Sequence, residues 1–140
     1  MRNQDAVADA PVNPVDVAIM RLLIQVANAD GQVDPSELDR IQAWATTTTL
    51  DEVTVAGLMH DEMEAPSRLE DLTSQVVSDF DRRDALTGCC AVIIADGQFD
   101  VGEKQFLSSI AQEWNLHPSV VAEAFVRIEG ATLDMVAHTP

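Results

Sequence analysis

The sequence is poor in cysteine, and the few it has exclude two classes of small protein. Its two cysteines are adjacent, at Cys89 and Cys90. A disulfide framework needs separated pairs, and a zinc knuckle needs CxxC spacing with further ligands. We therefore expect both thiols to lie on a buried helix face as small apolar residues.

Long hydrophobic runs are also missing. The densest one, Cys89–Ala95, is far shorter than the ~20 apolar residues that cross a bilayer. The first thirteen residues, MRNQDAVADAPVN, are polar and acidic and lack the apolar region of a secretory signal. We expect a cytoplasmic protein with no direct membrane insertion.

Positive charge is scarce. Eight basic residues stand against 24 acidic ones, which gives a net charge of −16, and Lys104 is the only lysine. The electrostatic field of this negative charge repels phosphates and anionic lipid headgroups, so nucleic acid is excluded as a direct partner. Cations and basic protein surfaces remain as partners.

Catalytic motifs are absent as well. The histidines, His60, His117 and His138, are scattered, and no Gly-rich phosphate loop, nucleophile elbow or HExxH pattern occurs. Beside His60, Asp61 and Glu62 could add metal ligands, but an exposed polar helix end is the favoured interpretation. We expect no enzyme.

Helical periodicity runs through nearly the whole chain, and no alternating strand pattern competes with it. We expect an all-α fold of about seven helices packed as a compact bundle. The predicted organisation is a flexible segment over 1–12, a single helical domain over 13–130, and a tail over 131–140. The helices are expected at about 14–29, 34–45, 51–63, 67–80, 83–95, 100–114 and 117–130.

One acidic segment occurs twice, as ADGQVDPSE at 29–37 and as ADGQFDVGE at 95–103. Each copy joins an apolar helix to an amphipathic helix that carries a tryptophan, Trp44 or Trp114. A duplicated helix–acidic turn–helix unit predicts pseudo-twofold packing, with the two apolar helices at the centre and the tryptophans in the core.

Helix capping explains why most residues of the repeated segment occur in both copies. Gly31 and Gly97 suit the left-handed residue that ends a helix. Asp34 and Asp100 stand at N-caps, and Glu37 and Glu103 follow at the position of a capping box. Capping explains Asp30 and Asp96 least, because a negative charge at a helix C-terminus is unfavourable. An Asx-turn is the alternative role for these two residues.

Cation binding is the competing interpretation of the turns. Clustered carboxylates without cysteine or histidine suit calcium, magnesium or manganese rather than zinc. The turn matches the second half of an EF-hand loop, but Val26 and Val92 stand where its first ligand belongs. A bound ion would therefore draw on both copies. The candidate metal ligands are Asp30, Asp34, Glu37, Asp96, Asp100 and Glu103.

The paired ADGxxxxxE turns, each between an apolar and an amphipathic helix, resemble the TerB family of tellurite-resistance proteins over roughly 13–130. The segment is also similar to the N-terminal domain of DjlA-type co-chaperones, although the His-Pro-Asp motif of a J-domain is missing. The resemblance implies a non-enzymatic stress protein with an acidic, metal-binding surface. It also implies protein partners in a membrane-associated stress complex, and it carries the metal role onto the six acidic residues named above.

Two functional hypotheses follow. In the first, the protein binds a divalent cation through the paired acidic turns. In the second, it is a helical interaction module whose acidic face docks a basic partner, and the turns are only helix caps.

Overall fold

The computed structural model describes residues 13–29, 31, 33–95 and 101–137, with side chains in the last helix only as far as Arg127. Within these residues every regular element is an α-helix, which confirms the all-α prediction. The helices are α1 (Pro14–Ala27), α2 (Pro35–Ala45), α3 (Glu52–Glu64), α4 (Leu69–Thr73), α5 (Asp79–Ile93), α6 (Val101–Glu113) and α7 (Pro118–Ala137).

The two apolar helices, α1 and α5, form the most extensive helix pair and lie at the centre of the bundle. Gly88 on α5 allows a close approach, because a methyl group there would stand 3.3 Å from both terminal carbons of Leu23 on α1. Cys89 and Cys90 are fully buried beside it, and Trp44 and Trp114 are also in the core. These predictions are confirmed.

The remaining helices follow the duplication. Within each half, the third helix packs on the apolar helix of its own unit, so that α3 contacts α1 and α7 contacts α5. The amphipathic helices differ, because α2 packs closely against α5 of the other half, whereas α6 makes only a light contact with α1, no larger than its contact with α5 of its own half. The predicted pseudo-twofold packing therefore holds for the central pair and for α3 and α7, but not for the two amphipathic helices.

Local capping sets several helix boundaries. The Asn13 side chain accepts from the Val15 amide at 2.9 Å and starts α1, and Asp51 accepts from the Thr54 amide at 2.8 Å and starts α3. At the end of α2, the hydroxyls of Thr46, Thr47 and Thr48 each donate to the carbonyl three residues earlier, at 2.6–2.7 Å. The threonines therefore bond to carbonyl groups of the last helical turn.

The predicted fourth helix, 67–80, is wrong. Helix α4 ends at Thr73, the chain turns, and Ser78 caps a new helix by accepting from the Asp81 amide at 3.0 Å. Side chains from elsewhere bond to the carbonyls in this interruption. The Trp114 indole N–H donates to the Thr73 carbonyl at 2.9 Å, and Arg82 Nε donates to the Val76 carbonyl at 2.9 Å.

The last helix is longer than predicted, since α7 continues past Gly130 to Ala137. The division of the chain into a domain with two terminal segments stays a prediction, and 1–12 lie outside the described residues.

Candidate functional site

The first acidic turn is built as a helix boundary. Helix α1 ends at Ala27 with Asn28 as its C-cap, so Gly31 is not the residue that ends the helix; its φ of 93° instead places it in the turn that follows. Asp34 accepts from the Ser36 amide at 2.8 Å, and Glu37 Oε1 accepts from the Asp34 amide at 2.9 Å. The predicted capping box is confirmed. Hydrogen bonds from the Ser36 hydroxyl and amide hold the pKa of Asp34 below its ordinary value.

The two glutamates that close the repeated segments share one property, which is deep burial. Glu37 is 3% exposed and Glu103 is 2% exposed. Asp30, Asp96 and Asp100 lie outside the described residues, so the metal assignment of the six carboxylates stays a prediction. Among the residues that the structure describes, no three His, Cys, Asp or Glu side chains are grouped to hold a metal ion.

A cavity of about 480 Å³ occupies the weaker junction, between α1 and α6. Its wall includes Asn28 and Ala29, which precede Asp30 in the first turn, and Gly102, which precedes Glu103 in the second. Both repeated segments therefore border one cavity, but the described candidate ligands Asp34, Glu37 and Glu103 are not among its lining residues. Amide and hydroxyl side chains supply further oxygen atoms of the kind that hard cations prefer. They are Gln25, Asn28, Gln105 and Ser109.

The Glu62 carboxylate also borders this cavity and is the most heavily hydrogen-bonded side chain near it. Its Oε1 accepts from Arg21 Nη1 at 3.0 Å and from the Ser67 hydroxyl. Its Oε2 accepts from Gln25 Nε2 at 2.8 Å and from the Ser67 amide at 2.7 Å. The four bonds tie the end of α3 and the following loop to α1.

Burial by itself would raise the pKa of Glu62, but the bonds from Ser67, Gln25 and Arg21 outweigh it and hold that pKa below its ordinary value. The carboxylate is therefore ionised at neutral pH. The sequence interpretation of 60–62 as an exposed helix end is wrong for Glu62, which is 2% exposed, and right for His60 and Asp61. No motif signals this burial, because its partners come from α1 and from the loop beyond α3.

A second group of acids lies where α1 meets α5. Burial raises the pKa of Asp16, and the charges of Asp81 and Asp84 raise it further. Burial also raises the pKa of Asp84, with a contribution from Asp81. The Trp44 indole N–H lowers the Asp84 pKa in part, although its approach falls short of hydrogen-bond geometry. These three acids repel one another and do not form a ligand set.

Family membership follows from a comparison with models of protein families. The model described as "Tellurite resistance protein TerB" matches residues 16–125, which is most of the chain. The chain belongs to the TerB family. The matched region of this TerB-family chain spans both acidic turns, the cavity between α1 and α6, and the Glu62 network. No curated protein and no solved structure gives a match.

Among the helices described for this TerB-family chain, none is both long enough and apolar enough to cross a bilayer.

Proposed function

We propose that this TerB-family protein is a non-enzymatic, cytoplasmic stress protein of the tellurite-resistance type that binds a divalent cation through both acidic turns. The observation that carries the proposal is the shared cavity, since Ala29 and Gly102, one from each repeated segment, line the same space. An ion placed there draws on two half-sites, neither of which is a complete EF-hand loop.

The donors would come from the carboxylates of Asp30, Asp34, Glu37, Asp96, Asp100 and Glu103, of which Asp34, Glu37 and Glu103 belong to the segments that border the cavity but are not among its lining residues. Asp34 would contribute through Oδ2, because the Ser36 amide and hydroxyl both donate to Oδ1. An all-oxygen set of high negative charge suits Ca²⁺, Mg²⁺ or Mn²⁺.

The test is a thermal melt of the metal-free protein with each of the three chloride salts in turn. At a free cation concentration of about 100 Kd, the added stability is ~2.7 kcal/mol, which raises Tm by roughly 9 °C for a chain of this length. Because any salt screens a net charge of −16, sodium chloride of equal ionic strength is the reference.

Two variants make this test specific. The double variant Asp30→Asn/Asp96→Asn should lose the cation-dependent rise in Tm, while Asn keeps the ability to form Asx-turns. The control, Asp39→Asn/Asp61→Asn, removes the same charge from exposed positions outside the turns. An equal rise in both variants, or no rise beyond that in sodium chloride, would contradict the proposal.

The second candidate function is docking of a basic protein partner on the acidic surface, in a membrane-associated stress complex. The capping box of Asp34 and Glu37 favours it, because that geometry accounts for both residues without a metal. The net charge of −16 gives complementarity to a basic partner and repels nucleic acid. Binding of a basic partner that persists in EDTA would support this function. Binding that requires the divalent cation would instead support the first proposal, cation binding.

A further inference from the structure

The two helices α2 and α3 form a hairpin with a groove of about 680 Å³ between them. Helix α2 packs mainly on α5 and α3 packs mainly on α1, so the pair contact each other only lightly. The groove is a consequence of this divergence. Its lining residues are Leu38, Asp39, Gln42, Ala43, Ala45, Thr46, Leu50, Asp51, Glu52, Val55, Ala56 and Met59.

The floor of the groove is apolar. Leu50 and Val55 are buried at its base, and Leu38 and Met59 are half-buried along it. Ala56 on α3, like Ala43 on α2, is exposed and small, which leaves the space between the helices open. A cavity of this volume and lining is of the size that takes several apolar side chains.

The rim of the groove is acidic. Asp39 lies on α2, while Asp51 and Glu52 lie at the start of α3. The hydrogen bond from the Thr54 amide lowers the pKa of Asp51, which is therefore ionised at neutral pH. None of the described lining residues is Lys, Arg or His. An apolar floor between negative charges complements an apolar segment flanked by positive ones and repels an anionic lipid.

The loop that joins the two helices is pinned by its own hydroxyls. Thr46, Thr47 and Thr48 each donate to a carbonyl of the last turn of α2, and the Leu50 amide then donates to the Thr48 hydroxyl at 3.0 Å. The closed end of the groove is therefore preformed. A partner does not have to order it, which lowers the cost of binding.

We propose that the α2–α3 groove docks an amphipathic helix of a partner protein whose apolar stripe is flanked by Lys or Arg at both ends. The α2 wall runs from Leu38 to Ala45, or about 10 Å of helix, which matches apolar residues at i, i+4 and i+7 of the docked helix. The flanking basic residues lie against Asp39 at one end and Glu52 at the other. This inference rests on the second proposed function and gives it a place on the molecule.

The test uses the full chain in EDTA and a synthetic peptide of about 16 residues, long enough to form a helix. The peptide carries Leu at i, i+4 and i+7, Lys on both sides of this stripe, and Ala and Gln elsewhere. Fluorescence anisotropy measures Kd, and amide chemical shifts locate the bound surface. A peptide with Glu in place of Lys should bind at least about tenfold more weakly.

Two pairs of variants locate the site. Ala56→Gln fills the groove while keeping a good helix former and should weaken binding about tenfold or more. Its control is Ala122→Gln, at an exposed position on α7. Glu52→Lys should weaken binding about three- to tenfold, whereas Asp61→Lys, the same change of charge elsewhere on α3, should alter Kd less than about twofold.

The outcomes separate the groove from the general proposal. If neither peptide binds, docking of a basic helix is refuted and the groove assignment fails with it. If the Lys peptide binds but each variant behaves like its control, the acidic surface docks the peptide elsewhere and only the groove assignment is overturned. The groove assignment is also overturned if sedimentation shows a dimer that Ala56→Gln dissociates, because the occupant is then a second copy of the chain.

Discussion

Replacing Glu62 by Gln should be the most destabilising single-atom change near the cavity. Gln has the shape of Glu, but its amide nitrogen would face two of the four donors that now point at the carboxylate. Each lost hydrogen bond to a charged acceptor is worth ~1.5–3 kcal/mol. Arg21 keeps 24% of its side chain exposed and would recover some hydration in the variant. We therefore expect the free energy of unfolding to fall by about 3 kcal/mol.

The assay is urea denaturation at neutral pH, where the midpoint should fall while the m-value stays constant. The matched control is Glu64→Gln, the same substitution two residues on at an exposed position of the same helix, with an expected change within about 0.5 kcal/mol. Equal changes in the free energy of unfolding for the two variants would refute the stabilising role of the buried Glu62 carboxylate.

Acidification supplies an independent measurement on the same pair. Because the folded-state pKa of Glu62 is below 4.5, its charge contributes stability above that pH, and the contribution is lost as pH falls through the folded pKa. The difference between wild type and Glu62→Gln should therefore shrink below about pH 4.5. A difference that stays constant with pH would contradict the role of the charge.

Further substitutions test the glycines, the thiols and the acidic group. Gly57→Ala should stabilise the protein by about 0.5–1 kcal/mol in thermal melts, since open space surrounds that helical position. Gly31→Ala should destabilise it by about 1–2 kcal/mol, because its φ is 93°. Burial raises the pKa of Cys90 to about 12 and that of Cys89 well above its ordinary value, so neither thiol should react with a disulfide reagent at pH ~8 until the chain unfolds. Fast labelling of the native protein would refute that. Asp84→Asn should stabilise the protein by about 0.5 kcal/mol at neutral pH, since the raised pKa of Asp84 makes its charge unfavourable there. The gain should fade on acidification, and a gain that persists would contradict the electrostatic cause.

The sequence predicted the helices best where the signals that start or end them are local. Asn13, Asp34 and Asp51 bond to amides two or three residues away, so their roles can be read from spacing alone. The duplication likewise predicted which helices pair at the centre, since two apolar stripes in a small domain must bury each other.

The prediction of α4 failed for the opposite reason. The Thr73 carbonyl at its end bonds to Trp114, 41 residues further along the chain. An amphipathic pattern across Leu69, Leu72 and Val76 suits one long helix equally well. Ser78 supplies a local cap for α5, but the Thr73 carbonyl at the end of α4 depends on the distant Trp114 donor.

The sequence by itself determined an all-helical, strongly acidic chain with two repeated turns, because periodicity, capping and net charge are properties of neighbouring residues. Tertiary structure alone decided the burial of Glu62, the cavity shared by the two turns and the open groove between α2 and α3. Each of these depends on how closely two helices approach, and that distance is set by packing between residues far apart in the chain. Side-chain packing allows α5 to lie close against α1 at Gly88, which leaves no space between them. The packing of α6 against α1 is looser and leaves the cavity.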